Sequence, residues 1–370
     1  MIKYPLLFLS GGLLLKLSRG LIMDNSENAE LNKEQCEQSE PTLRGYKLVC
    51  LKLGLSMCVY FLCRLFGAWA GPKLSGISSF LGDTAYEIVS STMLILLVYV
   101  IPLVFSALIF GSFEKYKGKY KDLYKIPDKT ARAMGTFPAT FGLGHGVALL
   151  TLLALFLISR NLSGHSYLDE LLRPTTAPTS TSAVSIVILV FMLVVIAPLF
   201  EEFWVRGIMF DALKPYGSGI AIIISSLLFG LMHGSLYMLF YTTAYGFALG
   251  YIRYATNSLF IVTILHAIVN SIGAIALVLT SLSEITGGDN RTINTLLAIY
   301  LVALVVMIIV GVVAFLFKIP SMRRYKIENG WTQYGPWKKT ALFFISIPVI
   351  IMMVLAFNEI SQGLLIRLFY

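Results

Sequence analysis

Residues 183–207 read AVSIVILVFMLVVIAPLFEEFWVRG. The stretch 183–200 carries no charge and approaches the roughly 20 apolar residues that a helix needs to cross a bilayer. Glu201, Glu202 and Arg206 then follow directly. Ionisable groups at such depth are costly in lipid, so they face a protein interior or polar cavity and mark function. The stretch therefore predicts a membrane bundle whose chemistry gathers around these carboxylates.

The rest of the chain has the same character. Its 370 residues are 57% hydrophobic and 13% charged, with a mean hydropathy of +0.78. A soluble domain of this size could not hide so much apolar surface. The pattern predicts an all-α fold, a polytopic transmembrane helix bundle of about eight to nine spans. The segments are 47–69, 87–112, 137–159, 183–213, 218–239, 240–255, 258–281, 294–317 and 340–357. The sixth is short, and Gly246 and Gly250, four apart, permit close helix packing there. No internal repeat of the transporter kind is visible.

The formal net charge of +9 does not point to nucleic acid, because the basic residues sit in short loops between apolar runs. Cys36 falls in a polar tail, while Cys50, Cys58 and Cys63 cluster in the first strong span. With no CxxC pair, they read as small apolar side chains rather than a zinc-thiolate site or disulfides. Residues 1–22 are loosely like a signal sequence without a cleavage site. Met23 is read as the true start, and 24–45 as a polar, disordered tail.

Loop charge predicts topology. Segment 113–132 carries Lys115, Lys117, Lys119, Lys121, Lys125, Lys129 and Arg132. Segment 318–339 carries Lys318, Arg323, Arg324, Lys326, Lys338 and Lys339. Placing both in the cytoplasm puts the amino terminus inside and the carboxyl terminus outside. Arg206, Lys214 and Arg253 then also fall toward the inside.

Three segments hold nearly all the intramembrane polar groups: EEFWVR at 201–206, FGLMH at 229–233 and HAIVN at 266–270. Glu202 and Arg206, Phe229 and His233, and His266 and Asn270 are each four apart, so each pair shares a helix face. Glu201 points about 100° away from Glu202. Glu202 is thus expected to pair with Arg206 while Glu201 faces the histidines. Such a set suits amide hydrolysis: a desolvated glutamate as base, a histidine sharing the water, and His and Asn donors for an oxyanion. Alternatively, Glu201, His233 and His266 could hold zinc. Interhelical hydrogen bonding alone is the bland reading of these residues, and a helix-locking ion pair that of Glu202 and Arg206. His145 reads as a helix-packing residue and His165 as solvated.

EExxxR, FxxxH and HxxxN, in this order on successive apolar helices, resemble the signature motifs of the CAAX-protease and bacteriocin-processing (CPBP) family. These intramembrane proteases are also called Abi or type II CAAX prenyl endopeptidases. The resemblance covers about 185–280. It implies a conical bundle of about eight helices around an intramembrane catalytic cavity open to the cytoplasm. Glu201 would be the base, helped by His233, with His266 and Asn270 as the oxyanion hole. Glu202 and Arg206 would be support, and Phe229 cavity wall. Family members are labelled metalloproteases, with a metal-free glutamate mechanism as the competing account. The reading favoured here has no permanent metal, and zinc is kept as the alternative.

The chain then divides into an N-terminal segment 1–45, an N-terminal transmembrane region 46–180, a catalytic core 183–281 and C-terminal helices 282–370. The expected partners are a membrane-associated peptide or protein substrate and the lipid bilayer, with no nucleic acid. The expected place is a bacterial plasma membrane, with bacteriocin maturation or immunity as the role. A proton-coupled transporter and a non-catalytic scaffold or immunity protein are the alternatives.

HExxH, rhomboid-type GxSG and GxGD patterns are all missing from the sequence.

Overall fold

The computed structural model describes residues 41–76, 82–117, 119–126, 135–163, 183–322 and 331–369. The expectations for the chain before residue 41, for Cys36, for His165 and for the loop 164–182 lie outside the described residues. So do Lys129, Arg132, Arg323, Arg324 and Lys326 of the basic loops.

Among the described residues every regular element is helical. Helix α1 is Leu43–Ser75. Helix α2 runs Asp83–Ile95, widens into a π-helical turn at Leu96–Val100 and resumes at Ile101–Ile109. Helix α3 is Phe137–Ser163. Helix α4 alternates between α (Ala183–Phe191, Ala197–Glu202, Phe210–Leu213) and π (Met192–Ile196, Phe203–Met209). Then come α5 (Ser218–Leu231), α6 (Leu236–Thr256), α7 (Leu259–Ile285) and α8 (Arg291–Met322). The described chain closes with α9 (Pro336–Phe344) and α10 (Ile347–Phe369).

The first π turn of α4 has a local cause. Proline lacks an N–H and its ring crowds the carbonyl four residues back, and one extra residue in the turn relieves that crowding. Ala197 N–H accordingly reaches the Met192 carbonyl, five residues back, and Pro198 follows it directly. Pro198 has no N–H to offer Leu193, so the Leu193 carbonyl is left for a donor from elsewhere. Pro102 stands in the same place after the π turn of α2.

Among the described residues six helices (α1, α2, α3, α4, α7 and α8) are long and apolar enough to cross a membrane, or seven spans if the bent α9–α10 pair counts as one. The chain is an all-helical polytopic membrane bundle. Three of the expected segments are redrawn. The segment 218–239 stops as a helix at Leu231, because Gly234 takes a left-handed φ of 66° and Ser235 starts a new helix. The Ser235 Oγ accepts the Met238 N–H at 3.2 Å, an N-cap. The sixth segment is consequently the 21-residue α6 rather than a short one. The segment 340–357 is broken between α9 and α10 by a bend of 71°. Pro348, second residue of α10, has no N–H to continue α9.

Helix α5 packs on α6, α3 on α8 and α6, α1 on α10 and α2, and α7 on α4. The shared core contains Leu53, Met57, Phe61, Trp204, Met209, Leu228, Leu249 and Leu265. Cys50 and Cys58 are buried free thiols in α1. Helix α8 turns Val302, Val305, Val306, Ile309 and Phe317 outward, an apolar face that lipid rather than water can accept.

Candidate active site

The second and third motifs meet the first on one aromatic ring. The Arg206 guanidinium lies over the Phe229 ring, 4.2 Å from its centroid. The His233 and His266 rings stand edge-on to Phe229 at 5.0 and 5.6 Å. Helices α4, α5 and α7 therefore converge here, and Phe229 is the wall they share.

Glu202 and Arg206 are both fully buried and pair at 2.9 Å, Nη1 to Oε1. Burying an ion pair is unfavourable unless its other donors and acceptors are met. Arg206 gains the face of Phe229 and donates from Nη2 to the Gly246 carbonyl at 3.3 Å. A Cβ on residue 246 would lie 3.1 Å from both Arg206 Nη2 and Phe229 Cδ1. Glycine there lets the α6 backbone reach the guanidinium.

The Glu202 carboxylate has a second duty. His266 Nδ1 lies 2.8 Å from the same Oε1, and only the imidazole can be the donor to a carboxylate. That bond sets the ring so that Nε2 faces Glu201, 3.9 Å from its Oε2. Tyr245 closes the other side edge-on at 5.9 Å and is held by donating to the Leu265 carbonyl at 3.0 Å. The start of α7 is set by Ser258, whose Oγ accepts the Ile261 N–H at 3.4 Å.

Glu201 is treated differently. It is 9% exposed, and its Oε2 is buried without a hydrogen-bond partner in the protein. The 3.9 Å to His266 is attraction rather than a hydrogen bond. A buried acceptor left open costs stability, so its retention calls for a chemical reason.

His233 lies just past the end of α5, and not inside a helix as its spacing from Phe229 predicts. Its Nδ1–H donates to the Phe229 carbonyl at 2.8 Å, which leaves Nε2 as the acceptor. Asn270 donates from Nδ2 at 2.8 Å to the Leu193 carbonyl, the one orphaned by Pro198. One amide hydrogen of Asn270 answers a backbone fault in α4, and the second remains to be used.

Residues 183–272 match the family model described as Rce1-like, type II CAAX prenyl endopeptidase. The match covers about a quarter of the chain. The match opens with α4 and takes in all three motifs. Neither a curated protein nor a solved structure matches the chain. The Rce1-like domain supports a CAAX-type protease, a hydrolase, and the apolar helices make it an integral membrane protein.

Several residues around the Rce1-like domain escape the sequence reading. Tyr60 of α1 packs against Trp204 at 5.6 Å, and Tyr99 of α2 against Phe200, the neighbour of Glu201, at 5.9 Å. The Tyr60 hydroxyl donates to the Met232 carbonyl at 2.7 Å. Arg253, expected only to fall toward the inside, is buried, pairs with Asp211 at 3.2 Å and donates from Nε to the Arg206 carbonyl at 3.2 Å. The Tyr116 hydroxyl sits 2.7 Å from the Gly207 carbonyl and 2.9 Å from Asp211 Oδ2. His145 stays apart from the Phe229 cluster. It stacks on Phe141 at 3.9 Å and bonds that residue's carbonyl at 3.0 Å.

Among the described residues no group of three or more His, Cys, Asp or Glu side chains is placed to hold a metal ion. Both histidines commit Nδ1 and keep Nε2 open, the atom a metal would use, but Glu201, His233 and His266 are not grouped closely enough to share an ion. The donor types are those of a zinc site, but their placement here is not.

Proposed function

We propose that this protein is an intramembrane endopeptidase that cuts a peptide bond of a membrane-associated peptide or protein, with Glu201 as general base. The observation that carries the reading is the division between adjacent carboxylates. Both leave Oε2 without a protein donor, but Glu202 commits Oε1 to Arg206 and His266, whereas the only described ionic neighbour of Glu201 is His266 at 3.9 Å.

In this mechanism a water bound at Glu201 gives its proton to the carboxylate. The resulting hydroxide adds to the substrate carbonyl carbon, and the carbonyl electron pair moves to oxygen. His233 accepts the second water hydrogen at Nε2 and so aims the attack. The free amide hydrogen of Asn270, and His266 when it carries a proton on Nε2, donate to the developing oxyanion. Glu201 then returns the proton to the leaving nitrogen as the C–N bond breaks.

The Rce1-like match supports prenylated C-terminal tails as the substrate class in a eukaryotic cell, and we infer a peptide precursor such as a bacteriocin in a bacterial one. The bacterial setting is the one we favour, at the plasma membrane, with maturation or self-immunity as the role and the cavity toward the cytoplasm.

The test compares membrane-peptide profiles of deletion cells carrying wild type, Glu201→Gln or His233→Ala. The expected result is one uncut peptide that accumulates with both variants. Full complementation by both would overturn the reading. A pH-gradient-dependent flux lost in Glu201→Gln, with no peptide change, would favour a transporter.

A further inference from the structure

His233 sits in the turn Met232–Ser235 between α5 and α6, and that turn is thinly held by its own backbone. His233 N–H reaches the Gly230 carbonyl at 3.2 Å and Gly234 N–H the Leu231 carbonyl at 3.4 Å. Its firmest tie comes from the far end of the sequence. The Tyr60 hydroxyl donates to the Met232 carbonyl, immediately before His233, at 2.7 Å.

Tyr60 is itself fixed. It packs edge-on to Phe61 and against Trp204, at 5.3 and 5.6 Å between ring centroids. Trp204 in turn is pinned by Nε1–H to Ser106 Oγ at 2.7 Å. One turn along α1, Arg64 donates from Nη1 to the Tyr60 hydroxyl at 3.2 Å. A guanidinium only donates, so the phenol's single hydrogen is directed to Met232. Arg64 also forms an ion pair with Glu359 of α10. Both heads lie over Gly234, where a Cβ would come within 3.1 Å of Arg64 Nη2 and would overlap the Glu359 carboxylate.

We propose that Tyr60 is a positioning residue for His233, with the Arg64–Glu359 pair as its anchor. Helices outside the Rce1-like domain thereby set the geometry of its second motif. The inference rests on the protease reading for its consequence in catalysis, and on the geometry alone for the order of the turn. Tyr60 and Arg64 do not act on substrate. Their effect is to hold the His233 backbone at one place.

The experiment uses the full-length protein in lipid nanodiscs, with Tyr60→Phe, Arg64→Ala and Arg64→Lys. Amide hydrogen exchange is read over 231–235 and over α1, together with the thermal midpoint. Cleavage of an internally quenched farnesylated peptide ending in Cys-Val-Leu-Ser is the second readout. In Tyr60→Phe, exchange at 231–235 should rise about tenfold, the order expected for one lost buried hydrogen bond. The kcat should fall about tenfold, with KM within about twofold and with α1 exchange unchanged. Arg64→Ala should repeat the pattern and Arg64→Lys should recover most of it. Unchanged exchange at 231–235, or exchange raised equally everywhere, overturns the proposal. If wild type leaves the peptide intact, the protease reading fails for that substrate class, and the exchange arm still decides the role of Tyr60.

Discussion

His266 Nδ1 lies 2.8 Å from Glu202 Oε1, the same oxygen that Arg206 holds at 2.9 Å. One buried carboxylate thus ties the third motif to the first, and it does so while its neighbour Glu201 stays open. Adjacent glutamates in one helix have unequal energetic standing. Glu202 is compensated at Oε1 and open at Oε2, whereas Glu201 has only His266 at 3.9 Å beside an unpartnered Oε2.

Glu202→Ala should therefore be a folding variant. It leaves a fully buried Arg206 without its partner and should cost about 3–5 kcal/mol. Thermal unfolding in detergent should show a large drop in midpoint, and the yield of folded protein should fall.

Glu201→Gln should move stability the other way or not at all, because a neutral amide is easier to bury than a carboxylate. The thermal midpoint should equal or exceed that of wild type, while peptide cleavage falls at least ~100-fold for loss of the general base. A destabilised but active variant would contradict this assignment.

Asn270→Ala removes the donor to the Leu193 carbonyl. An unpaired buried carbonyl costs about 1–3 kcal/mol, and loss of an oxyanion donor costs about 100-fold or more in kcat. Measuring both in one variant separates the duties, since a purely structural Asn270 would lower the midpoint and leave the residual kcat near that of wild type.

Gly246→Ala should cost about 1–3 kcal/mol by overpacking, since the added Cβ meets Arg206 Nη2 and Phe229 Cδ1 at 3.1 Å each. Gly246→Val should be worse. Unfolding midpoints of the two variants check the order.

Zinc content gives an independent check on the mechanism. Because the described carboxylates and imidazoles do not close on one point, purified protein should carry zinc well below one ion per chain. Cleavage should survive chelator treatment. Stoichiometric zinc with chelator-sensitive cleavage would require a rearranged site.

The class of fold was legible because lipid imposes a simple rule: helices about 20 residues long and apolar. The three motifs were legible because i, i+4 spacing puts paired residues on one face. The helix stop at Leu231, just before His233, was also written locally, in Gly234 and Ser235, but the apolar run around them masks it. The kink at α9–α10 has a local mark in Pro348 for the same reason.

Sequence alone determined that this chain is a membrane helix bundle, and it marked Glu201, Glu202, Arg206, His233, His266 and Asn270 as candidate site residues. Those conclusions depend on composition and on residues within one or two turns of each other. Tertiary structure decided which atoms meet. Glu202 reaches His266 across 64 positions, Asn270 reaches Leu193 across 77, and Arg64 reaches Glu359 across 295. No local propensity encodes such pairings. They exist because helices brought together by packing must satisfy buried polar groups with whatever donors the neighbouring helix presents.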